Sequence, residues 1–101
     1  MKMLLNVRIP LESFNEHVRK GTIGPTLQSI IDDIKPETVY FTEHQGCRGV
    51  VMIVEVASAD RVPSIAEPWF LKLGAECEFR IAMSPEDLQL AGLEALGRKW
   101  S

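Results

Sequence analysis

No stretch of this chain is apolar for long enough to cross a bilayer. The longest run, Val50-Val51-Met52-Ile53-Val54, spans five residues, where a membrane helix needs roughly 20. Concentrated positive charge is missing too. Eleven Lys and Arg stand against 14 Asp and Glu, and the nearest thing to a basic cluster is Arg98-Lys99. Without a basic stripe or a nucleic-acid motif, DNA and RNA are not expected partners. Cysteine is scarce. Cys47 and Cys77 lie far apart, form no CxxC pair and have no histidine at zinc spacing, so no metal or cofactor is expected. Free thiols fit a reducing compartment. The start, Met1-Lys2-Met3-Leu4-Leu5, has no long apolar core followed by a small-residue cleavage site. The expected location is cytoplasmic, with no membrane contact.

The chain has 101 residues, 46% of them apolar and 25% charged. This is ordinary globular usage, and the length predicts one domain over residues 1–101. Met3, Leu5, Val7 and Ile9 alternate with Leu4, Asn6 and Arg8, which predicts a strand that Pro10 ends. Leu11 to Lys20 reads as a helix. After Gly21-Thr22-Ile23-Gly24, a second helical piece runs from Pro25 to Ile34, with Leu27, Ile30, Ile31 and Ile34 as its apolar stripe. Thr38 to His44 is rich in β-formers. Gln45 to Gly49 reads as a glycine-bearing turn, and Val50 to Val56 as a strand covered on both faces. Ser58 to Leu73 predicts a helix kinked or restarted at Pro68 and ended at Gly74. Glu76 to Met83 alternates as a fourth strand. Ser84-Pro85-Glu86-Asp87 opens a last helix, expected to run to Leu96.

The order β-α-β-β-α-β plus a C-terminal helix is the split βαβ arrangement. It predicts an α+β fold with a four-stranded antiparallel sheet in the order 4-1-3-2 and helices on one face. Met3, Leu5, Val7, Ile9, Cys77, Phe79, Ile81 and Met83 would face those helices. Leu4, Asn6, Arg8, Tyr40, Thr42, His44, Glu78 and Arg80 would share the opposite face with part of the third strand. A half-apolar face of this kind asks for cover, and a second copy stacked sheet to sheet is the simplest one. Leu4, Arg8, Tyr40, Thr42, Val54, Glu78 and Arg80 are the expected dimer contacts, with Arg8 and Arg80 set against Glu78.

The element order, the segment Gly49 to Val56 followed by Ala57-Ser58-Ala59-Asp60, Trp69 with Phe70-Leu71, and the strand Cys77 to Met83 leading into Ser84-Pro85-Glu86-Asp87-Leu88 together resemble the dimeric α+β barrel superfamily of ferredoxin-like proteins. The likeness covers about Met3 to Leu88, and the chain resembles a short bacterial member. It implies a homodimer. Better known relatives include muconolactone-isomerase-like proteins, cofactor-free monooxygenases and haem-degrading enzymes. None of their catalytic residues aligns with a motif here, so the resemblance implies a shape and no mechanism.

The candidate chemistry is sparse. His44, beside the glycine turn, can serve as a general base or stand as a half-exposed hairpin histidine. Tyr40 on the same face can help orient a small carboxylate or simply cover interface area. Asn6 and Arg8 project from a central strand. Arg8 can grip a carboxylate or pair with Glu78. Trp69 and Phe70 can line a pocket between the second main helix and the sheet, or pack as core. Cys47 sits near Arg48 and His44, which can activate a thiol, though an inert one is the simpler reading. His17 reads as a solvated helix residue. Two functions follow as expectations: a homodimeric domain that binds a small organic ligand, or a cofactor-free small-molecule enzyme of isomerase or monooxygenase type. A roomy cavity with converging polar groups would favour the enzyme, and a filled sheet–helix space would count against it.

Overall fold

The computed structural model describes all 101 residues. In chain order they form β1 (Lys2–Ile9), α1 (Leu11–Lys20), α2 (Ile23–Ile34), β2 (Thr38–His44), β3 (Cys47–Glu55), α3 (Val62–Leu73), β4 (Glu76–Ile81), α4 (Pro85–Leu90) and α5 (Leu93–Lys99). A short 3-10 turn, Ala59–Arg61, leads into α3. The sheet order is β2-β3-β1-β4; read from the other edge it is β4-β1-β3-β2. Every pairing is antiparallel. With helices on one face, this is a ferredoxin-like α+β arrangement.

Local chemistry sets most of the element ends, and it moves several from where the sequence predicts them. α2 begins at Ile23, two residues before Pro25. The proline sits inside the first turn, where a missing N–H breaks no helical bond. Gln45 and Gly46 both take positive φ, 51° and 79°, and close a two-residue hairpin turn of the kind that matches strand twist. His44 therefore pairs directly with Cys47, and β3 starts three residues ahead of Val50. α3 runs unbroken through Pro68. Ser64, four residues back, is exposed, so water can take the carbonyl that the proline leaves unpaired.

The core lies between one sheet face and the first three helices. Leu5, Val7 and Ile9 of β1 and Val50, Met52 and Val54 of β3 meet Phe14, Ile30, Ile65, Trp69 and Leu73. This overturns the placement of Val54 on the open face. It pairs with Met3, an odd-numbered residue of β1, and is 1% exposed. Val51 and Ile53 take the open side instead. β3 is thus tightly covered on one face only, where its unbroken apolar run predicts cover on both. Ile81 and Met83, expected under the helices, are exposed: in the row that Ile81 shares with Met3 and Val54, cover reaches Val54 on β3 but not the β4 edge.

The last predicted helix is two. Ser84 caps α4 through a reciprocal pair of bonds with Asp87, but Gly92 turns the chain at φ 72° before α5 begins. Every residue from Met83 to Ser101 is exposed. This arm gives the molecule a radius of gyration of 17.0 Å and a long axis of 59 Å, where a compact domain of this size has a radius near 13 Å.

Candidate functional site

The open sheet face is built in three cross-strand rows. Reading from β2 to β4, the first is Thr38, Ile53, Leu4 and Arg80. The second is Tyr40, Val51, Asn6 and Glu78, and the third is Thr42, Gly49, Arg8 and Glu76. The structure therefore brings Leu4, Asn6, Arg8, Tyr40, Thr42, Glu78 and Arg80 together. Leu4, Asn6, Arg8, Val51 and Ile53 are half-buried, while Tyr40 at the β2 edge is exposed. His44 lies beyond the third row, four residues of extended strand from Tyr40. That separation is about 13 Å, too far for both side chains to hold one small group.

Gly49 shapes the third row. A Cβ there would lie 3.1 Å from His44 Cβ and 3.5 Å from Thr42 Cγ2, so glycine lets both side chains lean over β3. Arg8 lies opposite Glu76 rather than Glu78. Its Nη1 donates to Glu76 Oε2 at 3.3 Å, while its Nε is buried without a partner. Glu78 pairs along its own strand with Arg80, at 3.6 Å. Within one chain the Arg8–Glu78 pair does not form, because the β1–β4 register sets them one row apart.

Sequence reasoning misses a second site. Ile9, Phe14, Leu27 and Phe41 line a cleft of about 420 Å³ where α1 and α2 meet the β2–β3 hairpin; Thr42, Arg48 and Gly49 complete it. Arg48 pairs with Ile9, and so stands on the helix side of the sheet. Its guanidinium carbon lies 4.1 Å from the centre of the Phe14 ring, a cation–π stack. Glu43, opposite it on β2, turns its carboxylate back to accept the Gly46 N–H at 2.9 Å. No carboxylate of the chain lies within ion-pair distance of Arg48. Phe14 and Leu27 look like ordinary core in the sequence. The readable signal is the hairpin: a two-residue turn at Gln45-Gly46 fixes the parity of Arg48.

The residues expected to line a pocket under α3 do not. Trp69 is wholly buried in the core and its indole N–H has no partner, while Phe70 is exposed. The space between α3 and the sheet is filled. A larger groove, about 680 Å³, runs between α2 and α3. Hydroxyls, prolines and the acids Asp33 and Glu67 dominate its lining. It holds none of the predicted residues and no aromatic wall, so the smaller cleft is the better site for an organic ligand.

Three further residues have definite surroundings. His17 is no free surface group. Its Nε2 donates to the Lys72 carbonyl at 3.0 Å, and its Nδ1 meets the Thr22 hydroxyl at 2.8 Å, tying α1 to the end of α3. Burial pushes the Cys77 thiol up from the usual 9.0 to about 11. Hydrogen bonds from the Ser84 backbone, then its side chain, hold the Asp87 carboxyl below its ordinary range. No three His, Cys, Asp or Glu side chains come together as a metal site, and no helix is long and apolar enough to cross a membrane.

No family model matches the chain, and no curated protein matches it. Among solved structures it is similar to the de novo designed protein Ferredog-Diesel. That likeness runs at 17% identity over 80% of this chain and 85% of the other, with a TM-score of 0.45. At that level the fold assignment rests on strand order and register.

Proposed function

We propose that this chain is a homodimeric domain of the dimeric α+β barrel kind that binds a small organic acid in the corner cleft. One observation carries the ligand reading: Arg48 has no acidic partner and is stacked on Phe14 at an otherwise apolar cleft. Ligand sites are mostly apolar with a few placed polar groups, and an unpaired guanidinium matches a carboxylate in shape and charge. Phe14, Leu27 and Phe41 would hold the apolar body, with the acid on Arg48. The cleft lining has no His, Asp, Glu or Cys to move a proton, which favours binding over the isomerase or monooxygenase reading. The dimer reading rests on Leu4, Val51, Ile53 and Tyr40 sharing an uncovered face. Glu78 and Arg80 at its edge offer charges that a two-fold axis can match.

Calorimetric titration with benzoate tests the ligand reading, with benzyl alcohol as the neutral control. Benzoate should bind and benzyl alcohol should not. Arg48→Ala should weaken benzoate by roughly 10- to 100-fold, the worth of one charge-assisted hydrogen-bonded pair. Equal affinity of Arg48→Ala and the unaltered chain would remove the cleft from the proposal.

A further inference from the structure

We infer that the corner cleft takes a free α-amino acid with an apolar side chain, its carboxylate on Arg48 and its ammonium on Glu43. This deepens the organic-acid reading above and rests on it; what it adds is the second charge. Glu43 and Arg48 face each other across the β2–β3 ladder, where opposed Cβ atoms stand about 5 Å apart. Both lie on the helix side of the sheet. Arg48 pairs there with Ile9, and Glu43 follows Phe41 by two positions along β2, so the two share a face. Opposite charges placed this way ordinarily attract into a pair. Here neither makes an ion pair. Each is held by a neutral group instead: the Arg48 guanidinium by the Phe14 ring, the Glu43 carboxylate by the Gly46 N–H. An unpaired cation and an unpaired anion therefore stand side by side, both exposed, at a cleft whose apolar lining is Ile9, Phe14, Leu27 and Phe41.

An α-amino acid matches that arrangement group by group. Its carboxylate and ammonium sit on one carbon, and its side chain leaves from the same carbon. With both charges bound at the wet edge, the side chain is left for the apolar lining. A plain acid on Arg48 leaves Glu43 unmatched and sets like charge beside it; an ammonium on the next atom turns that repulsion into attraction. A plain amine leaves Arg48 unmatched in the same way. Each end of a peptide keeps only one of the two charges, so the free amino acid is the form that satisfies both residues. A cleft of about 420 Å³ falls within the range that holds small ligands.

Calorimetric titration of the full chain with L-phenylalanine tests this. The controls are 3-phenylpropionate, which lacks the ammonium, and phenethylamine, which lacks the carboxylate. L-Phenylalanine should bind roughly 5-fold or more tightly than 3-phenylpropionate, the worth of one good exposed ion pair, and phenethylamine should bind weakest. Glu43→Gln keeps an acceptor for the Gly46 N–H, so the turn retains its bond. That variant should erase the preference by weakening L-phenylalanine alone. Arg48→Ala should weaken both acids. Binding of 3-phenylpropionate as tight as that of L-phenylalanine, or tighter, overturns the amino-acid inference and leaves the organic-acid reading standing. Equal weakening of both acids by Glu43→Gln also overturns it, since Glu43 would then act only through the turn. Equal tightening of both overturns it as well, since Glu43 would then be competing for Arg48. No binding of either acid, with benzoate silent too, removes the organic-acid reading and this inference together.

Discussion

Leu4 and Leu5 are neighbours on β1, and the fold predicts opposite fates for their truncation. Leu5 is 0% exposed, between Met52 and Phe79 on the central strand. Leu→Ala at buried sites costs about 2–5 kcal/mol, and the figure rises where the surroundings cannot collapse. A central strand held on both sides by register cannot close the gap, so Leu5→Ala should cost about 3–4 kcal/mol. With a urea slope of about 1.3 kcal/mol/M for a chain of this size, the midpoint should fall by about 2.5 M. Leu4→Ala removes a half-buried side chain from the open face and should cost the monomer less than about 1 kcal/mol. Its effect should show in concentration dependence instead. Dimer formation raises apparent stability with protein concentration by mass action, and Leu4→Ala should flatten that rise. Urea unfolding of both variants at two protein concentrations, followed by circular dichroism, measures all of this. A loss below about 1.5 kcal/mol for Leu5→Ala, or an equal loss for Leu4→Ala in the dilute sample, would refute the assignment of sheet faces.

Burial holds the Cys77 thiol near 11 when folded, against 9.0 when free. The folded chain thus keeps a proton that the unfolded chain gives up. Its share of stability is intact below pH 9 and is lost as pH rises from 9 to 11; Cys77→Ala should flatten that slope in urea unfolding. At neutral pH, Cys77 should react with iodoacetamide more slowly in the folded chain than in the unfolded one, because less of it is thiolate. His17→Ala removes the link from α1 to the Lys72 carbonyl and should cost about 1 kcal/mol, with faster amide exchange at the end of α3 as its local signature.

The sequence alone determined the order of elements, because strand alternation, helix stripes and the Pro and Gly breaks are local signals. It also determined which β1 and β4 side chains share a face, since period-2 patterning is visible wherever apolar and polar residues alternate. It was silent on β3. An unbroken apolar run has no parity of its own, so Val54 fell on the wrong side until the Gln45-Gly46 turn fixed the register. The same turn put Arg48 over Phe14. That pairing joins a helix to a strand more than 30 positions away, and only folding makes them neighbours. Tertiary structure likewise decided that Trp69 fills the core instead of lining a pocket. It also decided that the C-terminal helices stand clear of the body. Helical pattern says that a stripe exists; whether anything in the same chain covers it depends on where the sheet ends.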